Sequence, residues 1–540
     1  MSVPIQFQLL RPSTRPRFRY RPAEQWFRGT VLSLSSPVRD MRRLCALTLW
    51  GFAAAPLRGQ TAAPLPLVLT HITVVDITGG PSRPDMSVTI SGGRIASIAP
   101  SSGAVEPHGM KVVNAAGKYL IPGLWDMHVH LTEAPSDGEE SALPTEANAR
   151  TYYFPLLVAN GVLGVRDMAG MLDTLISFRK EIASGKTLGP RLMVTGFKLG
   201  SAKPVVSGAP APVETAAQVR TAVELLRQHG ADFVKVDLGP ESVGLYPVLA
   251  EAVKSQGLTF VGHVPLTMNP GDAAALGQRS IEHLMQVPLA CSSEEAGLRR
   301  RLLALRANAS FLQRLAGWRF WYRDLPHQYA VSDQIASTYD SVKAAALFKG
   351  FVDSGSWQTP TLFLERDRAL HIPGNSPELE ARFGLASKMR RPSRPFSRER
   401  ATRSEAYYRR ELEIVGAMHR AGVGLLAGTD LPVGHAIPGY SLHEELALMA
   451  ESGLPPLAAL QTATLNPARF FGLTDSLGTV EVGKVADLVV LTADPLADIT
   501  NTRRIDAVIL HGKLLDRREL DQMLEEVASQ MQERVAIKTR

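Results

Sequence analysis

The sequence has only two cysteines in 540 residues, Cys45 and Cys291. That excludes a disulfide-built scaffold and a cysteine-based zinc cluster. No apolar run reaches the roughly 20 residues needed to span a bilayer, so no stable membrane span is expected. There is no phosphate-binding glycine loop, no dinucleotide fingerprint and no serine nucleophile elbow. Residues 1–60 contain no lysine, and their only acidic residues are Glu24 and Asp40.

What is present is an ordinary globular composition, 45% hydrophobic and 21% charged. The net charge of +7 suggests nucleic-acid binding until the charges are located. Ten arginines fall in residues 1–60, which therefore carry +8 and leave −1 for residues 61–540. No nucleic-acid partner is expected for so neutral a body. A second basic run, residues 388–410, holds nine Lys and Arg against Glu399 and Glu405. It reads as a solvated helical face, or as a lid that binds an anionic substrate group.

Met41-Arg42-Arg43 precedes a dozen apolar residues, Leu44 to Ala55, that end in small side chains. This is the layout of a secretory signal. Translation is expected to begin at Met41, with a signal over 41–60 and a periplasmic or secreted product. Cys45 would leave with the signal.

The rest divides by pattern. Residues 61–120 read as short strands, with Ser91-Gly92-Gly93 as a hairpin turn. Strands return in 476–540, ahead of a C-terminal helix, and the two ends are expected to form one small β-sandwich. Between them, residues 121–475 alternate apolar strands with amphipathic helices, and about 290–415 is a helical insertion. Strands are expected near 121–128, 162–166, 191–196, 232–237, 258–263, 279–283, 357–363 and 423–429. Eight such units suggest an α/β fold of the (β/α)8 TIM-barrel type, with its site at the strand C-terminal ends.

Chemistry concentrates at those ends. In Trp125-Asp126-Met127-His128-Val129-His130, residues two apart on a strand point the same way. His128 and His130 can then chelate one divalent metal. His263 and His283 close the fifth and sixth strands. A lone histidine there is usually a hydrogen-bonded structural residue. Asp430 closes the eighth strand, where a helix N-cap is the plain alternative. Lys235 lies in an apolar strand, where an ammonium ion is costly. It is either ion-paired with a buried carboxylate or a neutral amine that captures carbon dioxide as a carbamate.

Together, HxH after strand one, Lys after strand four, His after strands five and six and Asp after strand eight resemble the amidohydrolase superfamily. The chain is similar to its imidazolonepropionase-like and prolidase-type (Xaa-Pro dipeptidase-like) branch. Ala427-Gly428-Thr429-Asp430 and Ala463-Thr464-Leu465-Asn466-Pro467-Ala468 support this. The resemblance spans about 66–515. It implies a small-molecule hydrolase with two divalent metals, zinc first among the choices. His128, His130 and Asp430 would hold one metal, His263 and His283 the other, and carboxylated Lys235 would bridge them. Metal-activated hydroxide would then attack an amide, dipeptide, N-acyl amino acid or cyclic amide, with Asp430 as general base and acid. The alternatives are a mononuclear deaminase-like or cyclic-amide hydrolase, or a non-catalytic scaffold. A homo-oligomer is expected. Dipeptide-cleaving members often carry a tyrosine after strand four, and the nearest here is Tyr246. Lys198 and His435 are further substrate-contact candidates. Arg166 reads equally as a support for the site or as an inter-strand salt bridge. Glu282 reads as structural and His443 as solvated.

Overall fold

The structure, a computed structural model, describes residues 66–102, 109–132, 148–200, 208–307, 331–370, 377–383 and 398–538. The expected leader and export signal lie outside these, as do residues 388–397 of the basic run. The described part of that run opens the helix Arg398–Arg420. It carries exposed ion pairs such as Arg409 with Glu405.

Both ends of the chain build one mixed sheet. Its strands are β1 (Leu67–Val74), β2 (Arg83–Ser91), β3 (Arg94–Pro100), β4 (Lys111–Asn114) and β5 (Tyr119–Pro122) from the first end. From the last come β13 (Leu488–Leu491), β14 (Ile505–Leu510) and β15 (Lys513–Leu515). The order is β15-β14-β13-β5-β1-β2-β3, with β4 beside β1. Gly92 and Gly93 turn the β2–β3 hairpin at φ +58° and +75°, values that glycine adopts without strain. These strands form one hydrogen-bonded sheet. Its halves join edge to edge where β5 pairs antiparallel with β13, Tyr119 facing Leu491. Alternating residues (Leu69, Ile72, Val88, Leu120, Leu488, Ile509) enclose a small core of its own.

The parallel strands lie between these ends. A three-stranded sheet holds β6 (Leu124–Val129), β7 (Val162–Asp167) and β8 (Arg191–Val194). A four-stranded sheet holds β9 (Val234–Val236), β10 (Phe260–Gly262), β11 (Gln278–Glu282) and β12 (Trp357–Thr359). Strands β6, β7, β9 and β10 are buried along their whole length, as parallel strands covered on both faces are. Isolated parallel bridges continue from their edges. Leu199 follows β8 and bridges Val236 of β9. Gln358 of β12 bridges Leu425, and Leu431 bridges Val129 of β6. The extended stretch 423–431 is therefore bonded on both sides, with Met127 N donating to Ala427 O and Leu426 N donating to Gln358 O, each at 2.9 Å.

Helices follow the strands as their patterns require. Ala216–Gln228 begins on a capping box between Thr215 and Gln218 and buries Val219, Val223 and Leu226. The strand expected at 357–363 stops early. Thr361 turns at φ +52°, and the Glu445 carboxylate accepts from Leu362 N (3.0 Å) and Phe363 N (2.7 Å). That starts the helix Leu362–Leu370. His443 is buried, not solvated. Its ring nitrogens lie 3.0 Å from Thr502 Oγ1 and 3.0 Å from Asn160 O.

Gly262 ends β10 at φ +135°, and a Cβ there would stand 2.2 Å from Val236 O. Gly262→Ala is expected to lower stability by about 2–4 kcal/mol, read as a fall in Tm. An unchanged Tm would contradict the close approach of β9 and β10 beside Lys235 and His263.

Candidate metal centre

Six side chains from the strand C-terminal ends converge. His128 and His130 project from β6 and its end. Lys235 lies within β9, and His263 and His283 directly follow β10 and β11. Asp430 ends the extended stretch 423–430. His283 and Asp430 both sit at φ +58°, an unusual conformation for a side-chain-bearing residue. The turn breaks strand parity, so each side chain points into the centre instead of following its strand's alternation.

The centre is tight. His128 Nε2 is 3.1 Å and His130 Nε2 3.0 Å from Asp430 Oδ1. His283 Nε2 is 3.9 Å from Asp430 Oδ2. The His128 and His283 ring centres are 4.6 Å apart, and those of His263 and His283 are 5.2 Å apart. Lys235 Nζ lies 3.3 Å from His263 Nε2. All six residues are buried.

The opposite nitrogens are all occupied. His128 Nδ1 lies 2.9 Å from Glu282 Oε2, and His263 Nδ1 2.7 Å from Asp237 Oδ1. His130 Nδ1 faces Ala169 O at 3.4 Å. His283 Nδ1 meets Thr361 Oγ1 at 2.7 Å, and that hydroxyl already donates to Pro360 O. Each Nδ1 therefore faces an acceptor and should carry its ring's proton. Each Nε2 is then left as a lone pair aimed inward, the arrangement of metal-ligating histidines.

The proton count gives a direct test of fit. His128 Nε2 is buried without a hydrogen-bond partner among the described residues, and His130 has an oxygen at both ring nitrogens although a neutral imidazole has one proton. A second proton or a cation must satisfy the other side. Burial lowers the His128, His263 and His283 pKa values, His263 to about 4, so the rings stay neutral near pH 7. A cation between the Nε2 atoms and Oδ1 meets the need that a second proton does not. His128, His130 and Asp430 bring their ligand atoms within 4.8 Å of one another, close enough for one ion. Asp430 Oδ2 is buried without a hydrogen-bond partner among the described residues. The donor set, imidazole and carboxylate, suits a divalent transition metal.

Residues around the centre hold it. Asp126, fully buried, accepts from His128 N (3.1 Å), Thr429 N (3.0 Å) and Thr429 Oγ1 (2.6 Å). It ties β6 to the stretch that carries Asp430, and burial pushes its carboxyl up to about 7. Its parity with His128 and His130 is a signal in the sequence that could have found it. Glu282, read from sequence as structural, holds the His128 ring, because the left-handed turn at His283 lets neighbours on one strand serve the same centre.

The three substrate-contact candidates separate. Tyr246 is corrected. It is fully buried and donates to His263 O at 2.7 Å, so it supports a ligand and has no surface to offer a substrate. Lys198 is buried near Lys235, His263 and Asp237, all of which feel its charge. His435 is partly exposed on the rim, with Nδ1 2.6 Å from Asp367 Oδ1.

The Amidohydrolase family model matches residues 376–515. Adenine deaminase 3 of Rhizobium meliloti (strain 1021) is 32% identical over 144 residues, 26% of this chain and 24% of that protein. Adenine deaminase of Rubrobacter xylanophilus is 33% identical over 138 residues, 24% of this chain and 22% of that protein. The chain thus spans about a quarter of the length of these curated relatives. Among solved structures, a Xaa-Pro dipeptidase with bound methionine superposes with a TM-score of 0.59 at 20% identity. It covers 84% of this chain and 100% of that one. A bottromycin amidohydrolase gives 0.59 at 21% identity, over 87% of this chain and 91% of that one. Residues 376–515 thus resemble the Amidohydrolase family, and the fold around the histidines is similar to that of these solved structures.

Proposed function

We propose that this chain is a binuclear metal-dependent amidohydrolase that cleaves the C–N bond of a small amide, with dipeptides, N-acyl amino acids and cyclic amides as the substrate classes. The observation that carries it is the convergence of four imidazole Nε2 atoms on Asp430 and Lys235. We also propose that the eight parallel strands close into a (β/α)8 barrel. Support comes from the three bridges at Leu199, Leu425 and Leu431. An exported location rests on the signal-like layout from Met41.

His128, His130 and Asp430 would hold one cation, and His263 and His283 the other. Bound there, the two cations supply a water of lowered pKa and polarise the substrate carbonyl. Lys235 is the bridging candidate. As a neutral amine its Nζ adds carbon dioxide, loses a proton and becomes a carbamate with two oxygens to share. Burial lowers its pKa to about 8, which keeps some neutral amine available. The chain's own task in turnover is proton transfer. Asp430 Oδ2, without a partner among the described residues, takes a proton from water and delivers it to the departing nitrogen.

A second reading, deamination of a cyclic amidine, is favoured by the identity to adenine deaminases. Two measurements decide. Metal analysis of the purified protein is expected to give two equivalents per chain. One equivalent would favour a mononuclear enzyme, and none a scaffold. A panel of dipeptides, N-acyl amino acids and adenine then separates hydrolysis of an amide from deamination.

A further inference from the structure

We infer that the buried Arg166–Glu282 pair is a positioning device for the metal centre: it fixes the ring and backbone of His128 and so sets how tightly the first metal is held. This rests on the metal-dependent reading above. The pair is wholly buried. Arg166, on β7, reaches three other strands. Its Nε donates to Met127 O on β6 at 2.6 Å. Its Nη1 donates to Ser280 Oγ on β11 at 2.9 Å, and its Nη2 to Thr359 Oγ1 on β12 at 3.1 Å. Nη2 also meets both Glu282 oxygens, at 3.0 and 2.9 Å.

The direction of this network separates positioning from simple clamping. Glu282 Oε2 accepts from Arg166 Nη2 at 2.9 Å and faces His128 Nδ1 at 2.9 Å. One oxygen thus carries the arginine's grip directly to a ligand ring. Ser280 Oγ donates to Oε1, which leaves the carboxylate little freedom to turn. The Met127 carbonyl held by Nε belongs to the peptide bond that enters His128. Arg166 therefore fixes the ligand twice, through its ring and through its backbone.

Energetics point the same way. A buried ion pair is poor evidence of stabilisation, because desolvation offsets its attraction, and apolar pairs of similar volume often serve the fold as well. An apolar pair here would leave the His128 Nδ1–H without an acceptor. Partners that orient a metal-ligating histidine typically contribute 10–100-fold in metal affinity. On this argument apolar side chains could hold the fold, whereas holding Nε2 of His128 on target calls for the pair.

The test is a charge-neutral double variant, Arg166→Met with Glu282→Met, made in the full chain. Zinc affinity is read by competition with a chelating dye, and Tm is measured on the metal-free protein. The expected result is about 10–100-fold weaker binding of the tighter zinc equivalent, with Tm equal to or above wild type. Wild-type zinc affinity, or a large fall in Tm with affinity retained, would show a clamp and overturn the inference. If the double variant does not fold, Glu282→Gln is read instead. It keeps the volume and one acceptor oxygen but loses the charge that Arg166 grips. It is expected to weaken zinc roughly tenfold, and an unchanged affinity would equally overturn the inference. Wild-type protein that takes up no metal would defeat the metal-dependent reading itself, and the inference with it. Normal wild-type uptake with indifferent variants would defeat the inference alone.

Discussion

Lys235→Ala is expected to lower bound metal from two equivalents to one or none, and short carboxylates such as formate or propionate should restore part of it. Lys235 is fully buried, and among the described residues no carboxylate oxygen lies within 4.0 Å of its Nζ. Among the described residues, Nζ has His263 Nε2 as its hydrogen-bond partner at 3.3 Å. Burial nonetheless lowers its pKa to about 8 against the pull of Glu282, Asp237 and Asp430, so a buried ammonium is costly here without being excluded. A neutral amine that becomes a carbamate resolves the problem in two ways. It replaces the buried cation with an anion, and it supplies two oxygens to a centre rich in imidazole but with Asp430 as its one inward carboxylate. The carbamate then needs a cation beside it, as the four Nε2 lone pairs do. Metal content by elemental analysis checks this. Full loading of the alanine variant would exclude the bridge, and bicarbonate should raise the metal content of wild type but not of the variant.

How much of this was legible in the sequence depends on how local each relation is. The pair His128 and His130 follows from strand period alone. His263, His283 and Asp430 were legible as termini of apolar runs, because parallel strands buried on both faces stand out as such runs. What supports them was less legible. Glu282 and His128 are 154 positions apart, and their contact depends on how β6, β7 and β11 are placed, which no local pattern encodes. Strand parity set Glu282 and His283 on opposite sides, and the left-handed turn at His283 cancels that parity. Tyr246 was misplaced for a related reason. A tyrosine near the end of strand four can face the rim or lie beneath it. Here the helix Tyr246–Ser255 starts at this residue and packs the ring against Phe260. His443 shows the converse error: a polar helical stretch was read as solvated, but Asn160 O and Thr502 supply buried partners from distant segments. That the two ends join was legible, but not that β5 pairs with β13, since alternation fixes a strand's faces and not its neighbours.

Asp430→Asn is expected to keep the metal and lose about 10²–10⁴-fold in turnover, the range for a positioned proton-transfer group. The two effects part because the carboxylate has two oxygens with different surroundings. Oδ1 faces His128 Nε2 and His130 Nε2 at 3.1 and 3.0 Å, so it belongs to the ligand set. Oδ2 is buried, has no hydrogen-bond partner among the described residues and stands 3.9 Å from His283 Nε2. An asparagine can present its amide oxygen in the place of Oδ1 and still hold a cation. Its NH2 group, in the place of Oδ2, cannot accept a proton. The loss should therefore fall on kcat, with KM little changed, because the proton is taken in the transition state and not on binding. Asp430→Ala removes both oxygens and should lose metal as well, which separates the ligand role from the proton role within one residue. The comparison needs elemental analysis of both variants and steady-state kinetics on whichever amide of the panel the wild type cleaves. Wild-type turnover in the asparagine variant would refute the proton-transfer role. Loss of metal from that variant would show that the charge of Asp430, and not its geometry, holds the ion.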